Sequence, residues 1–401
     1  MDRRIPIANQ TIASGNASLR VAWGVGNSLV AFSAPTNDRM NKESSTGVTK
    51  RGDLHSIAFE QSLYTPIFRK LVNESAQTFL SLQKLSMEEE SISSSNLSRI
   101  SRQYRSIIRD CQEQLDQECE RINVMDPSKI EHNQLQSELL YKLELVWHLV
   151  EVLCIEKTSS GMVLHHLLQW IALNFTQCED KARNVLGGTV TDTDGMEHNG
   201  VDYLDQPERH PDYWDAVSLY ILQGRTEQAR NLLHLHPEMD SDSFVSIDEL
   251  LRKMPIYSGS ATQSIADFEF RWRHWQTEVR ARIDEGDFAA DPMLSSIAGV
   301  LSGSETAYTG DGSPQELCET WYEWMVGKLL FTNPTVKYYD LSHYAQEAIS
   351  KFGGLSSMTA LDSVILACIE MDIPQVRCFS VVLTQFIRYF KIDCSKSNFF
   401  L

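Results

Sequence analysis

The chain has 401 residues, 42% of them hydrophobic and 22% charged, a composition that excludes disordered and fibrous proteins. Its length exceeds one compact core of ordinary size, so two domains or an extended stacked array are expected. The formal net charge of −18 repels a phosphate backbone and disfavours direct nucleic-acid binding.

The N-terminal segment differs from the body: residues 1–60 hold seven Lys/Arg and five Asp/Glu, about +2, which leaves about −20 beyond. Met1 to Ala13 carry no apolar leader, and the most apolar helix, near Leu145 to Ile155, is interrupted by His148 and Glu151, so no transmembrane segment is expected. Leu19, Val21 and Trp23 alternate with Arg20 and Ala22, the period of a strand. Gly24-Val25-Gly26-Asn27 supplies a turn, and Ser28 to Ser33, with Leu29, Ala31 and Phe32, returns as the second arm of a hairpin. A polar loop from Pro35 to Asp53 leads to a third strand, His55 to Glu60, with Ile57 and Phe59 on one face. Three short strands are marginal alone, so this element needs the helices or a partner to pack on.

From Gln61 the period becomes helical: Leu63, Ile67, Leu71 and Phe79, then Ile100, Tyr104, Ile107, Ile108 and Leu115. Further helices are predicted near 131–156, 161–176, 212–223, 227–235, 263–284, 315–331, 338–351, 357–370 and 375–391. Trp214, Val217 and Ile221 precede the turn Gly224-Arg225-Thr226, and Ala229, Leu232 and Leu233 face back, the helix pair of an α-solenoid. No fixed repeat period emerges. The predicted organisation is an N-terminal β-element over 1–60, a first helical group over 61–176, an acidic Gly-rich loop over 177–209, a helical solenoid over 210–376 and a divergent end over 377–401.

Catalytic and metal motifs are weak. Asp192-Thr193-Asp194-Gly195 lacks carboxylates at the first and twelfth positions of a calcium loop. His165-His166 and His234-Leu235-His236 are predicted to point to different helix faces and not to chelate together. Gly24-Val25-Gly26 is a turn, without the third glycine of a dinucleotide site. Arg99, Arg102, Arg105 and Arg109 line one helix face that could dock phosphate, with a solvated face as the plainer reading. Trp272 and Trp275, like Trp321 and Trp324, have core spacing. Eight cysteines show no CxxC pair and are expected as reduced thiols. No cofactor and no enzymatic activity are expected.

Asn333-Pro334-Thr335-Val336-Lys337, then Asp340-Leu341, Tyr344 and Ala345-Gln346, resemble the eighty-five-kilodalton nucleoporin family of the Y-shaped outer-ring complex of the nuclear pore. Trp23-Gly24 with Leu29-Val30, Lys70 to Ser75, Tyr104-Arg105-Ser106, Leu222 to Arg225, Met254-Pro255-Ile256 and Trp272 to Trp275 agree in order, so the likeness spans residues 20–376. The resemblance implies a mainly α fold, an irregular α-solenoid of the ancestral coatomer element type that doubles back on itself, with a small N-terminal three-stranded β-blade. In that family the strands complete a six-bladed WD40 propeller in trans. Carried onto this chain, the partner-binding residues are Leu19, Val21, Trp23, Leu29, Ala31, Phe32, Ile57 and Phe59.

The resemblance further implies a structural scaffold at the nuclear pore and nuclear envelope, and at the kinetochore in mitosis, that serves pore assembly, protein transport and mRNA export. Its partners would be a WD40 β-propeller protein and other outer-ring nucleoporins. The family continues through a helical tail after this chain stops, so a C-terminally shortened form with impaired ring docking is expected. Phe352-Gly353 is the single Phe-Gly pair, unlike the Phe-Gly-repeat class. A vesicle or lysosomal coat solenoid and an enzyme with an unrecognised site are the alternatives.

Overall fold

The computed structural model describes residues 13–14, 17–23, 28–35, 54–58, 65–88, 93–121, 127–156, 161–191, 197–199, 206–257, 264–308 and 313–371. The predicted turn at 24–27, Phe59, the motif at 192–195 and the end at 377–401 lie outside these residues. The chain divides into two units, 1–75 and 76–401.

The first unit carries an antiparallel sheet of β1 (Ala13–Ser14), β2 (Ala17–Trp23), β3 (Ser28–Pro35) and β4 (Leu54–Ala58), in the order β1-β2-β3-β4. It is a meander, each strand pairing with the next in sequence. The expected three strands are therefore four: β1 pairs Ala13 with Ser18 and Ser14 with Ala17, and two residues are too few to show a period. Helix α1 (Pro66–Glu88) begins in this unit, where Ile67, Phe68 and Leu71 are buried.

The second unit is mainly helical. A long pair, α2 (Ser94–Arg121) and α3 (Pro127–Val150), packs along its length, and α3 widens into a π turn at Glu151–Ile155. There follow α4 (Leu164–Asn174), α5 (Gln177–Gly187), α6 (Tyr213–Leu222), α7 (Thr226–Leu233), α8 (Asp242–Lys253), α9 (Ile265–Glu285) and α10 (Pro292–Leu301). A single turn, α11 (Pro314–Leu317), precedes α12 (Trp321–Thr332), α13 (Leu341–Lys351) and α14 (Ala360–Ile369). At the α6–α7 turn Gly224 adopts φ +71°, a value that its lack of a Cβ makes cheap.

Consecutive helices pack in pairs, and the chain also folds back: α12 packs on α4 and α6, and α14 packs on α3. The Val163 amide donates to the Val336 carbonyl at 3.3 Å, stitching the segment before α4 to the one after α12. This return follows from α12 itself. From Trp321 to Phe331 all of its residues are buried, and a helix apolar on every side is stable only with neighbours all round it. Gly327 lets α6 approach, since a Cβ there would stand 3.1 Å from the Leu222 Cβ. Lys328 is satisfied by Glu347 at 2.6 Å and Glu305 at 2.9 Å. The Phe331 carbonyl accepts from Gln276 Nε2 at 2.6 Å, tying α9 to the end of α12.

The elements differ from the expected ones in several places. Within 177–209, expected as a loop, Gln177–Gly187 is helix α5, because Cys178, Ala182 and Val185 recur at helical spacing and are buried. Beyond it β5 (Thr189–Thr191) and β6 (Glu197–Asn199) form a small antiparallel pair, so β-structure is not confined to the N-terminus. Helices α8 and α10 were not predicted. The predicted helix at 315–331 is broken at 318–320, where Thr320 caps α12 in a capping box with Glu323.

Glu323 is the acid in that box and is buried. Burial pushes its carboxyl up to about 7, against the opposing hydrogen bonds from Thr320. A carboxyl with a raised folded pKa contributes stability that is complete below its unfolded value of 4.5 and is lost as pH rises through the folded value. Glu323→Gln therefore gains on the parent by up to about 3 kcal/mol between pH 4.5 and 8 in urea melts. Taking the difference removes His148, which burial, then Arg105, Arg109 and Arg102, push down to about 3 and which works in the opposite direction. A difference independent of pH would show that Glu323 titrates normally in the fold.

Candidate partner-binding surface

The register of the sheet orders the predicted contact residues. Trp23 pairs with Leu29 and Leu29 with Ile57; Val21 pairs with Ala31; Leu19 pairs with Ser33. These residues occupy alternate positions along each strand and so share one face. Phe32 stands in an intervening row, between Arg20 and Leu54, with Val30 and Ala22 in the next row of the same set. The predicted set is thus split: Leu19, Val21, Trp23, Leu29, Ala31 and Ile57 on one face, Phe32 on the other. Both sets of rows hold apolar residues.

Three arginines of the α2 row are engaged by carboxylates, while Arg99 is exposed. Arg102 pairs with Glu156, Arg105 with Glu151 at 2.8 Å, and Arg109 with Glu144. The acids come from α3 and its π turn, whose register brings a carboxylate opposite each turn of α2. Glu151 is fully buried and accepts from Ser101 Oγ at 2.8 Å; that hydroxyl accepts in turn from Trp147 Nε1 at 3.0 Å. Burial raises the Glu151 pKa, while Ser101 and Arg105 oppose the rise. Nothing in the sequence near α2 signals these acids; α3 supplies them through tertiary pairing.

The histidines also differ from expectation. His165 and His166 lie with ring centroids 3.8 Å apart, His165 meeting Tyr257 edge-on at 5.6 Å. Successive helical positions diverge by about 100°, but two long flat rings in a first turn can lean together. Burial and then the neighbouring His166 push His165 down to about 4. Among the described residues no three metal-ligating side chains come together. His234 and His236 do separate tasks, His234 bonding Asp248 at 3.0 Å and His236 stacking on Phe244. Cys178 and Cys368 are pushed up to about 12, each chiefly by burial, so both stay protonated. Trp272, Trp275, Trp321 and Trp324 are buried, as their spacing predicts. Among the described residues no helix is long and apolar enough to cross a membrane.

These features define a class: a mainly helical protein of paired and back-folded helices that carries an N-terminal antiparallel meander. The chain belongs to the Nup85 nucleoporin family, whose model, described as Nup85 Nucleoporin, matches residues 53–378. It is 36% identical over 330 residues to the nuclear pore complex protein Nup85 of Mus musculus, covering 80% of this chain and 47% of that protein. Against Nup85 of Homo sapiens the figures are 34% over 359 residues, 88% and 51%. Against the nuclear pore complex protein Nup75 of Drosophila melanogaster they are 29% over 301 residues, 74% and 41%. The chain spans about half the length of the curated relatives it matches.

The ion-pair row makes a graded prediction. Arg105→Met strands the buried Glu151 carboxylate and costs about 3 kcal/mol. Arg102, with its side chain 62% exposed, contributes less than about 1 kcal/mol, so Arg102→Ala is mild. Urea unfolding of both variants checks this, and equal losses would contradict the gradient.

Proposed function

We propose that the chain is a structural scaffold subunit of the nuclear pore outer ring, and that its N-terminal meander completes a partner's open WD40 propeller. Through that joint it supports pore assembly, nucleocytoplasmic transport and mRNA export, with other outer-ring nucleoporins as its further partners. Family membership and relatives named as nuclear pore complex proteins support the placement. The observation that carries the joint is the strand order β1-β2-β3-β4, the up-and-down order of a single four-stranded propeller blade.

The physics of insertion follows from that order. An open propeller leaves two blades facing a gap, and a blade filling it is covered on both faces. Apolar residues in both sets of rows suit this arrangement, with Trp23 against one neighbouring blade and Phe32 against the other. Main-chain groups at the edges of the meander would also gain strand partners, as in β-augmentation. Helices α2 to α14 then act as the platform that holds the joint relative to the ring.

Large aromatics dominate such contacts, at about 2 kcal/mol or more on truncation. Trp23→Ala and Phe32→Ala are each expected to weaken propeller binding about 30-fold in a titration. The two losses should add, because the residues serve opposite faces. Unchanged affinity in both variants would exclude the meander as the binding element.

A further inference from the structure

A cleft of about 470 Å³ opens between α4, the α6–α7 turn, the segment after α8 and the first turns of α9. Its volume is that of a ligand pocket. Four segments through which the chain resembles its family meet in the wall, contributing Gln223 to Arg225, Met254 to Ile256, Trp272 and Pro334. The propeller joint makes no use of them.

The lining is mainly apolar and includes no carboxylate among the described residues. Tyr257 and Phe268 meet edge-on at 5.4 Å and Phe268 and Trp272 lie 5.8 Å apart, an aromatic wall. Arg225 carries a permanent charge, and Glu179 pairs with it. Gln223 is committed as well, donating to the Phe175 carbonyl at 3.1 Å and accepting from Cys178 at 3.3 Å. His165 is neutral at physiological pH, because burial and His166 hold it near 4. No charge facing the cleft is left uncompensated. Two buried polar atoms of its lining residues do lack partners among the described residues, Trp272 Nε1 and His165 Nδ1. Trp272 is 3% exposed, whereas Trp275, one turn on, donates to the Leu250 carbonyl at 2.9 Å. A buried N–H left without an acceptor is costly, so an occupant that brings one is favoured.

We propose that this cleft binds an uncharged, apolar peptide segment of a partner protein, one of whose main-chain carbonyls accepts from Trp272 Nε1. Walls without free charge select a neutral occupant, because a charged side chain would lose its water there and gain no partner. A main-chain amide suits both unpaired atoms: its carbonyl accepts from the indole, and its N–H donates to the neutral imidazole in the tautomer that leaves Nδ1 bare. Both atoms are buried, so the segment reaches them as Tyr257 turns aside, the ring that meets His165 edge-on at 5.6 Å. Ile256 distinguishes a segment from a small molecule. It lines the cleft yet is 67% exposed, so apolar surface continues outward. A peptide covers that surface as it enters, whereas an enclosed molecule leaves it wet. This inference does not rest on the propeller joint.

The test is titration of the whole 401-residue chain with the capped peptide acetyl-Ala-Leu-Phe-Ala-amide. It is read by nuclear magnetic resonance at the Trp272 indole N–H, which the spectrum of Trp272→Phe identifies. The parent is expected to show a saturable shift at millimolar peptide or below. Ile256→Asp, at the exposed rim, should weaken binding at least about tenfold and leave the thermal melt of the chain unchanged. Peptides with Asp or with Lys in place of both alanines should also bind at least about tenfold more weakly. No shift at millimolar peptide would overturn the proposal. Equal affinity in parent and Ile256→Asp, or for neutral and charged peptides, would overturn it too. So would N-isobutylacetamide binding as tightly as the peptide, by assigning the cleft to a small amide.

Discussion

The helical unit depends on one constraint: α12 is buried on every side, so it needs neighbours that the local chain cannot supply. Adjacent helices cover one stripe of it at most. The remaining stripes are closed by α4 (Leu164–Asn174) and α6 (Tyr213–Leu222), both far from Trp321–Thr332 in sequence, and the chain must return upon itself to bring them there. Gly327 sets how near α6 can come, and the paired acids on Lys328 keep its ammonium from being buried alone. A buried ammonium with two carboxylates is tolerated where one without them is not.

Polar groups elsewhere fix relative positions in the same way. The carboxylates of Glu144, Glu151 and Glu156 meet three arginines of α2, so the long α2–α3 pair can slide only by breaking ion pairs, one of them around a fully buried acid. Trp170 Nε1 on the Leu145 carbonyl, Tyr141 on the Asn174 carbonyl and Trp275 Nε1 on the Leu250 carbonyl add further specific ties between helices. Bonds of this kind contribute modestly to net stability, but they penalise any alternative packing that leaves them unmade. A platform with one arrangement is what a structural subunit requires.

Much of this was legible in the sequence. The switch from period two to period 3.6 near Gln61 separates sheet from helices, and tryptophans three apart marked core faces of α9 and α12. What was not legible has physical causes. Strand β1 is too short for a period, and acidic, Gly-rich neighbours obscured the stripe of Cys178, Ala182 and Val185 in α5. The Asp291-Pro292 start of α10, where Asp291 caps the Met293 and Leu294 amides, is a signal that the sequence does carry. The arginines of α2 were visible as a face, but their acids lie 35 to 54 residues away, and no local pattern announces that pairing. In the N-terminal sheet, alternation identified the strands, whereas the division of Phe32 from Trp23 needed the register.

The proposed joint between a helical stack and a propeller rests on a mainly helical unit and a four-stranded meander carried on one chain. Hydrogen exchange of the chain alone and with an open WD40 propeller subunit of the outer ring tests it most directly, read at the amides of residues 13–58. The account predicts that propeller binding slows exchange strongly across 17–35 and 54–58 and leaves 321–332 unchanged. Slowing confined to the helical residues, with the strands exchanging as they do in the free chain, would contradict it.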